Sequence, residues 1–220
     1  MRSNNIIKKI RNRKIIITAG GTIEPIDPVR YIGNHSSGKM GIALVKAFLK
    51  YSDKVILIHG RLTVPIPKNI VSIPAHTVQE MTAVLESQLS SDAVVIMAAA
   101  ISDFKVKRIS KHKIKTKRSF SIELVPTIDI LKRLSSKKSK KNFFIGFAVE
   151  TQDIVENAGK KLKDKKLDLI IANPVSSEFN PFGSDDNKVY FIDEKGTREL
   201  PVMKKEKIAF EILKYIAGHL

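Results

Sequence analysis

The chain has 220 residues, 43% of them hydrophobic and 28% charged, and a formal net charge of +17. That balance fits one α/β domain with a full core and excludes a disordered or fibrous chain, while the charge implies polyanionic partners or a lysine-rich surface. With no cysteine there is no disulfide framework, thiol nucleophile or thiolate metal site, and no apolar run approaches the ~20 residues of a membrane span, so a cytoplasmic protein is expected.

Apolar runs of strand length alternate with helix-period segments, which predicts a doubly wound, Rossmann-like, mostly parallel sheet with helices on both faces. Residues 14–18 (KIIIT) are the first strand, ending at a Gly20-Gly21 turn. From about 37 to 51, Met40, Leu44, Val45, Phe48 and Leu49 share one helical face, with Ser36 or Ser37 as N-cap. Strands at 54–59 and 69–73 follow, then a helix at 78–89 carrying Met81, Val84, Leu85 and Leu89. Buried strands are expected at 93–98, 142–147 and 167–172, with a helix at about 153–165 that is basic at its C-terminal end. A C-terminal β-hairpin at 188–200 turns around 194–196, and an amphipathic helix at 204–217 closes the chain. Residues 101–123, with the run KVKRISKHKIKTKR, lack core periodicity and are too long and charged for a simple connection. One domain is expected over 1–220, preceded by an extension at 1–13.

The stretch GNHSSGKMG, residues 33–41, fits the first seven places of G-x-x-x-x-G-K-[ST] and then puts Met40 where a phosphate loop needs a hydroxyl. No buried strand leads into it and Met40 cannot ligate magnesium, so it fails that motif's own criteria. Ser36, Ser37 and Gly38 at a helix N-terminus can still bind an anion through free N–H groups and the helix dipole. The turn AGGT, 19–22, follows the first strand where doubly wound folds bind phosphates; it reads equally as a tight turn. MAAAISDF, 97–104, puts small residues at the end of a central strand, where a flat ring could approach the backbone or the chain could simply pack closely. Asp103 beyond it could accept from a ribose or a base, or cap the next turn, and its location favours the first. Lys161 and Lys165 share a helical face and could grip one phosphate, although any lysine-rich helix produces such pairs by chance. The five histidines show no metal spacing, so no protein-held metal is expected, and no Ser-His-Asp or paired acid/base set is recognisable.

Taken together, AGGTIEPIDPVRYIGNHSSGKMG, MAAAISDF, KIK, GFAVET, KLKDKKLDLIIAN and GSDDN closely resemble phosphopantothenoylcysteine synthetase, from about Lys14 to Leu220. The resemblance implies a ligase joining 4'-phosphopantothenate to L-cysteine at the expense of CTP with Mg2+, through an acyl-cytidylate, and a homodimer with shared sites. It implies that Asn34 holds the acyl-cytidylate for the second step, that Lys113 of KIK neutralises charge at the α-phosphate in the first, and that Arg30 belongs to the same catalytic motif. It further implies nucleotide contacts at Gly21, Thr22, Ser37, Gly38, Lys39, Ala100, Asp103, Thr127, Ile128, Asp129, Ile130, Phe147, Lys161 and Lys165. Magnesium is then carried by the triphosphate, and 101–123 becomes a mobile basic flap that excludes water on closing.

The sequence departs from the family pattern at Thr116 after KIK, at Thr127 to Ile130 in place of N-P-D-I, and at Asn173-Pro174 in place of N-D. The flavin-dependent decarboxylase half that often precedes this domain is expected elsewhere, since about thirteen residues stand before the first strand here. Two other classes compete. A basic RNA-binding protein would use 105–118 and 132–141 but lacks interleaved aromatics, and an NAD(P)-dependent oxidoreductase on the same fold lacks G-x-G-x-x-G. No nucleic-acid partner and no membrane are expected.

Overall fold

The computed structural model describes residues 9–175 and 183–220; the first eight residues of the extension expected at 1–13 lie outside the described residues. Runs that are apolar throughout become strands buried on both faces, because alternate side chains enter opposite cores. In β1 (Ile15–Ala19), Ile15 and Ile17 join the core on one side and Ile16 the core on the other. The same alternation runs through β4 (Val55–His59), β6 (Val94–Met97), β9 (Phe143–Glu150) and β10 (Leu169–Pro174).

With the edge strand β5 (Val71–Pro74) and the antiparallel hairpin β11 (Asp186–Asp193) and β12 (Gly196–Lys204), these strands form one eight-stranded sheet, β12-β11-β10-β9-β6-β1-β4-β5. All neighbours from β10 to β5 pair in parallel; Ile17, for example, lies opposite Leu57 on one side and Ile96 on the other. The chain thus starts in the middle of the sheet, builds outward to β5, then reverses direction at β6 beside β1. Open sheets bind ligands at such a switch point, beyond the carboxyl ends of the strands.

Helices α1 (Lys39–Leu49) and α5 (Lys205–His219) cover one face, and α2 (Val78–Gln88), α3 (Ile130–Ser135) and α4 (Ile154–Asp164) cover the other. Ile10, in a helical turn at 9–11, is fully buried in the α1/α5 core. Helix α2 begins at a capping box in which Thr77 and Glu80 serve each other's N–H groups.

The structure corrects the expected start of the first helix. Gly38, in the left-handed region at φ 79°, is the N-cap, with no side-chain cap bond, and the Ser37 hydroxyl stands 3.4 Å from the Lys39 nitrogen. Two small hairpins were also not foreseen. Between β1 and α1, β2 (Ile23–Pro25) pairs with β3 (Tyr31–Gly33); after β6, β7 (Phe104–Val106) pairs with β8 (Leu124–Pro126) and forms the stem of the basic segment. Three-residue strands are too short to show a period. Among the described residues no helix is long and apolar enough to cross a membrane.

Candidate active site

A cleft of about 530 Å³ opens at the switch point. Its floor is the Met97 to Ile101 segment after β6, its near wall the loop from Asn34 into α1, and its far wall Thr127 to Leu131, Phe147 and α4. Gly21 fixes how closely the near wall approaches: a Cβ there would meet the Asn34 carbonyl oxygen at 3.0 Å. Its N–H donates to the Arg61 carbonyl and that of Thr22 to the Ala100 carbonyl, so the AGGT turn uses these donors within the protein.

The near wall supplies donors. Asn34 donates from Nδ2 to the Ile101 carbonyl at 2.8 Å, which fixes its amide plane and leaves the second N–H and the carbonyl oxygen for a ligand. Because Gly38 caps α1 without a side chain, the first-turn N–H groups face the loop with the positive end of the helix dipole. Lys39 reaches the Gly183 carbonyl at 2.6 Å and the Asp185 carboxylate at 2.8 Å, tying GSDDN to the same corner and holding Asp185 below the usual carboxylate range. Lys205, only 6% exposed, donates to the Ser184 carbonyl. Burial pushes its ammonium down from the ordinary lysine value, and neighbouring Lys39 adds to the shift.

The far wall holds two lysine–carboxylate pairs, Lys161–Glu150 at 2.6 Å and Lys165–Asp129 at 3.1 Å. Asp129 also caps α3 by accepting from the Lys132 N–H at 3.0 Å. Thr127, which stands where the pattern has asparagine, donates its N–H to the Asp103 carbonyl at 2.9 Å and its hydroxyl to the Ser102 carbonyl at 2.6 Å. Lys39, Lys161, Lys165 and Lys205 stand around a cleft whose floor includes three alanines, an arrangement able to take a flat ring joined to a polyanion once Lys39, Lys161 and Lys165 turn from their carboxylate partners. Among the described residues no three His, Cys, Asp or Glu side chains are grouped to hold a metal ion.

All the predicted site residues line this cleft except Gly21, Thr22, Arg30 and Lys113. Arg30 precedes β3 and Asn34 follows it, about 13 Å apart at strand rise. Arg30 instead meets the basic segment: its guanidinium binds the Asp27 carboxylate through Nε and Nη2, and Nη2 also donates to the Ile114 carbonyl at 2.7 Å. Lys113 is the neighbour of that residue. Burial alone would push the Asp27 carboxyl up, but bonds from the Arg30 side chain and the Val29, Ile114 and Arg30 N–H groups outweigh it and hold Asp27 far below the usual range.

Residues 10–220 match the DNA/pantothenate metabolism flavoprotein (DFP) C-terminal domain. The chain belongs to this family. Among relatives of this DFP domain, the coenzyme A biosynthesis bifunctional protein CoaBC of Bacillus subtilis (strain 168) is 43% identical over 212 residues, 95% of this chain and 52% of that protein. CoaBC of Escherichia coli (strain K12) is 35% identical over 204 residues, 91% of this chain and 50% of that protein. The chain thus spans about half the length of the curated relatives it matches. A crystal structure of the C-terminal domain of CoaBC superposes with a TM-score of 0.80 at 35% identity, covering 96% of this chain and 97% of that one. A Cab2 mutant in complex with phosphopantothenate-cysteine superposes at 0.77 with 20% identity over 98% and 92% of the two chains, a likeness of fold.

Among the lining residues absent from the predicted site set, two polar ones stand out. Asn173, at the end of β10, is 8% exposed and its Oδ1 is buried without a hydrogen-bond partner among the described residues. Lys205 is the other. The signal for Asn173 was present, a polar residue closing the apolar run LIIA, 169–172, near a strand's carboxyl end. Lys205 sits in a lysine run, and nothing in the sequence separates it from its neighbours.

Proposed function

We propose that this DFP-family domain is a phosphopantothenate–cysteine ligase acting in the cytoplasm. The triphosphate of CTP binds over the N-terminus of α1 among the cleft lysines, with its ring against the alanine floor and Phe147. The divalent cation arrives on the triphosphate. The carboxylate of 4'-phosphopantothenate attacks the α-phosphorus: an O–P bond forms, the bond to the bridging oxygen breaks, and pyrophosphate leaves. Lys113 neutralises the charge that gathers on the α-phosphate. The cysteine amine then attacks the acyl carbon, the C–O bond to CMP breaks, and the amine loses its proton. Asn34, already oriented by Ile101, holds the acyl oxygen with its remaining N–H.

What carries this reading is the convergence of thirteen of the implied residues on one lysine-rimmed, alanine-floored cleft at the switch point, in a chain of this family. The outlying positions of Arg30 and Lys113 support a homodimer in which the arm of one copy reaches the cleft of the other. Val29, Tyr31, Ile109 and Phe120 on the arm and flap are exposed apolar residues of the kind an interface covers.

The reading is tested by pyrophosphate release with CTP or ATP, 4'-phosphopantothenate and Mg2+, with and without cysteine. Wild type turns over only with all components. Asn34→Ala releases about one equivalent of pyrophosphate and retains acyl-cytidylate, whereas Lys113→Ala releases almost none. Absence of nucleotide- and phosphopantothenate-dependent release from wild type would overturn it.

A further inference from the structure

The buried carboxylate of Asp27 lies outside the cleft, and no step above uses it. Its side chain is 0% exposed, yet five N–H donors converge on it. Oδ1 accepts from the Val29 N–H at 2.8 Å and the Arg30 N–H at 2.9 Å, which shapes the turn between β2 and β3. Oδ2 accepts from the Arg30 guanidinium and from the Ile114 N–H at 3.1 Å. Capping its own turn is a common task for aspartate. The bond to Ile114 is not of that kind, since it reaches 87 residues along the chain and lands inside KIK. Arg30 grips the carbonyl of the same residue, and Ser110 donates its N–H to the Ile26 carbonyl at 3.0 Å. The turn and the flap are therefore joined at Ser110 and at both main-chain groups of Ile114.

We propose that Asp27 is a positioning residue for the ligation, locking Arg30 and the flap around Ile114 into one arm so that Arg30 and Lys113 are presented together. The lock stands on geometry; its use in catalysis rests on the ligase reading. Asparagine is the discriminating replacement, because it keeps the shape but turns one of the two acceptor atoms into a donor facing donors.

In Asp27→Asn, tryptic cleavage within 111–118 should accelerate about tenfold, and kcat should fall about tenfold while KM for CTP stays within about twofold, since no cleft wall touches Asp27. A merely structural role would raise cleavage throughout the chain and raise KM as well, and that result would overturn the proposal. So would unchanged flap cleavage in a folded Asp27→Asn protein. If the variant does not fold, amide exchange in wild type decides: Ile114 should exchange about tenfold more slowly than Lys113 and Lys115, and equal rates would refute the lock. Looser flap cleavage in Asp27→Asn, together with a wild type that releases no pyrophosphate, would uphold the lock and remove the ligase reading.

Discussion

At the scale of single residues, an unpartnered buried acceptor is the sharpest sign of a missing ligand group. Among the described residues the Oδ1 of Asn173 is such an atom, and a buried polar group left unpaired costs on the order of 1–3 kcal/mol. A nucleotide donor bonded to it would recover that cost on binding. Asn173→Leu is therefore expected to leave the melting temperature of the free protein unchanged or raised, and to weaken CTP binding about tenfold by calorimetry. A lowered melting temperature with unaltered affinity would mean that Asn173 is a structural residue. Lys138 teaches the reverse lesson. Its run, 137–141, is lysine and serine only, the composition of solvated surface, yet its ammonium donates to Asp168 at 2.6 Å and to the Lys166 carbonyl at 2.9 Å. Charge in the sequence does not say where a side chain goes.

At the scale of elements, the long strands and helices were legible because burial on two faces needs continuous apolar runs, and burial on one helical face needs a 3.6-residue period. The β2–β3 and β7–β8 hairpins were not, since three-residue strands show no period and are also held from outside the hairpin, as by the Ile23 N–H donating to the His76 carbonyl at 2.8 Å. The cap of α1 was misread because serine is the better cap by propensity. Here the N-cap residue has no side chain to offer, which the left-handed Gly38 makes possible, and the Lys39 N–H has only the long contact to the Ser37 hydroxyl at 3.4 Å.

Gly38→Ala should cost about 1 kcal/mol from backbone strain, with added crowding against Leu62, whose Cδ2 would lie 2.1 Å from the new Cβ. It should also raise KM for CTP about tenfold. Thr77→Ala removes the capping box of α2, which does not line the cleft, and should cost about 1 kcal/mol with unaltered KM. Denaturation and steady-state kinetics on the pair separate stability from function; equal kinetic effects would contradict the role given to the α1 turn.

At the scale of the whole molecule, the sheet offers a nucleotide-sized cleft at its switch point while a separate arm carries Arg30 and Lys113. The family pattern located the residues of both regions in the sequence. It could not reveal their separation, because that depends on how the β2–β3 hairpin leaves the sheet and on the lock at Ile114. The net charge of +17 suits a polyanionic substrate; surface pairs such as Lys160–Glu156 and Arg198–Glu211 are neutral, add nothing to that excess and are each worth little. In the proposed dimer, Asn34 of one copy and Lys113 of the other serve successive steps in one composite site.

Mixing Asn34→Ala with Lys113→Ala under conditions that exchange subunits, and following 4'-phosphopantothenoylcysteine formation, tests it most directly. Half of the dimers would then be mixed, each with one intact site, so activity should recover to about a quarter of wild type. Product formation no greater than the two variants give separately, with subunit exchange verified, would contradict the claim.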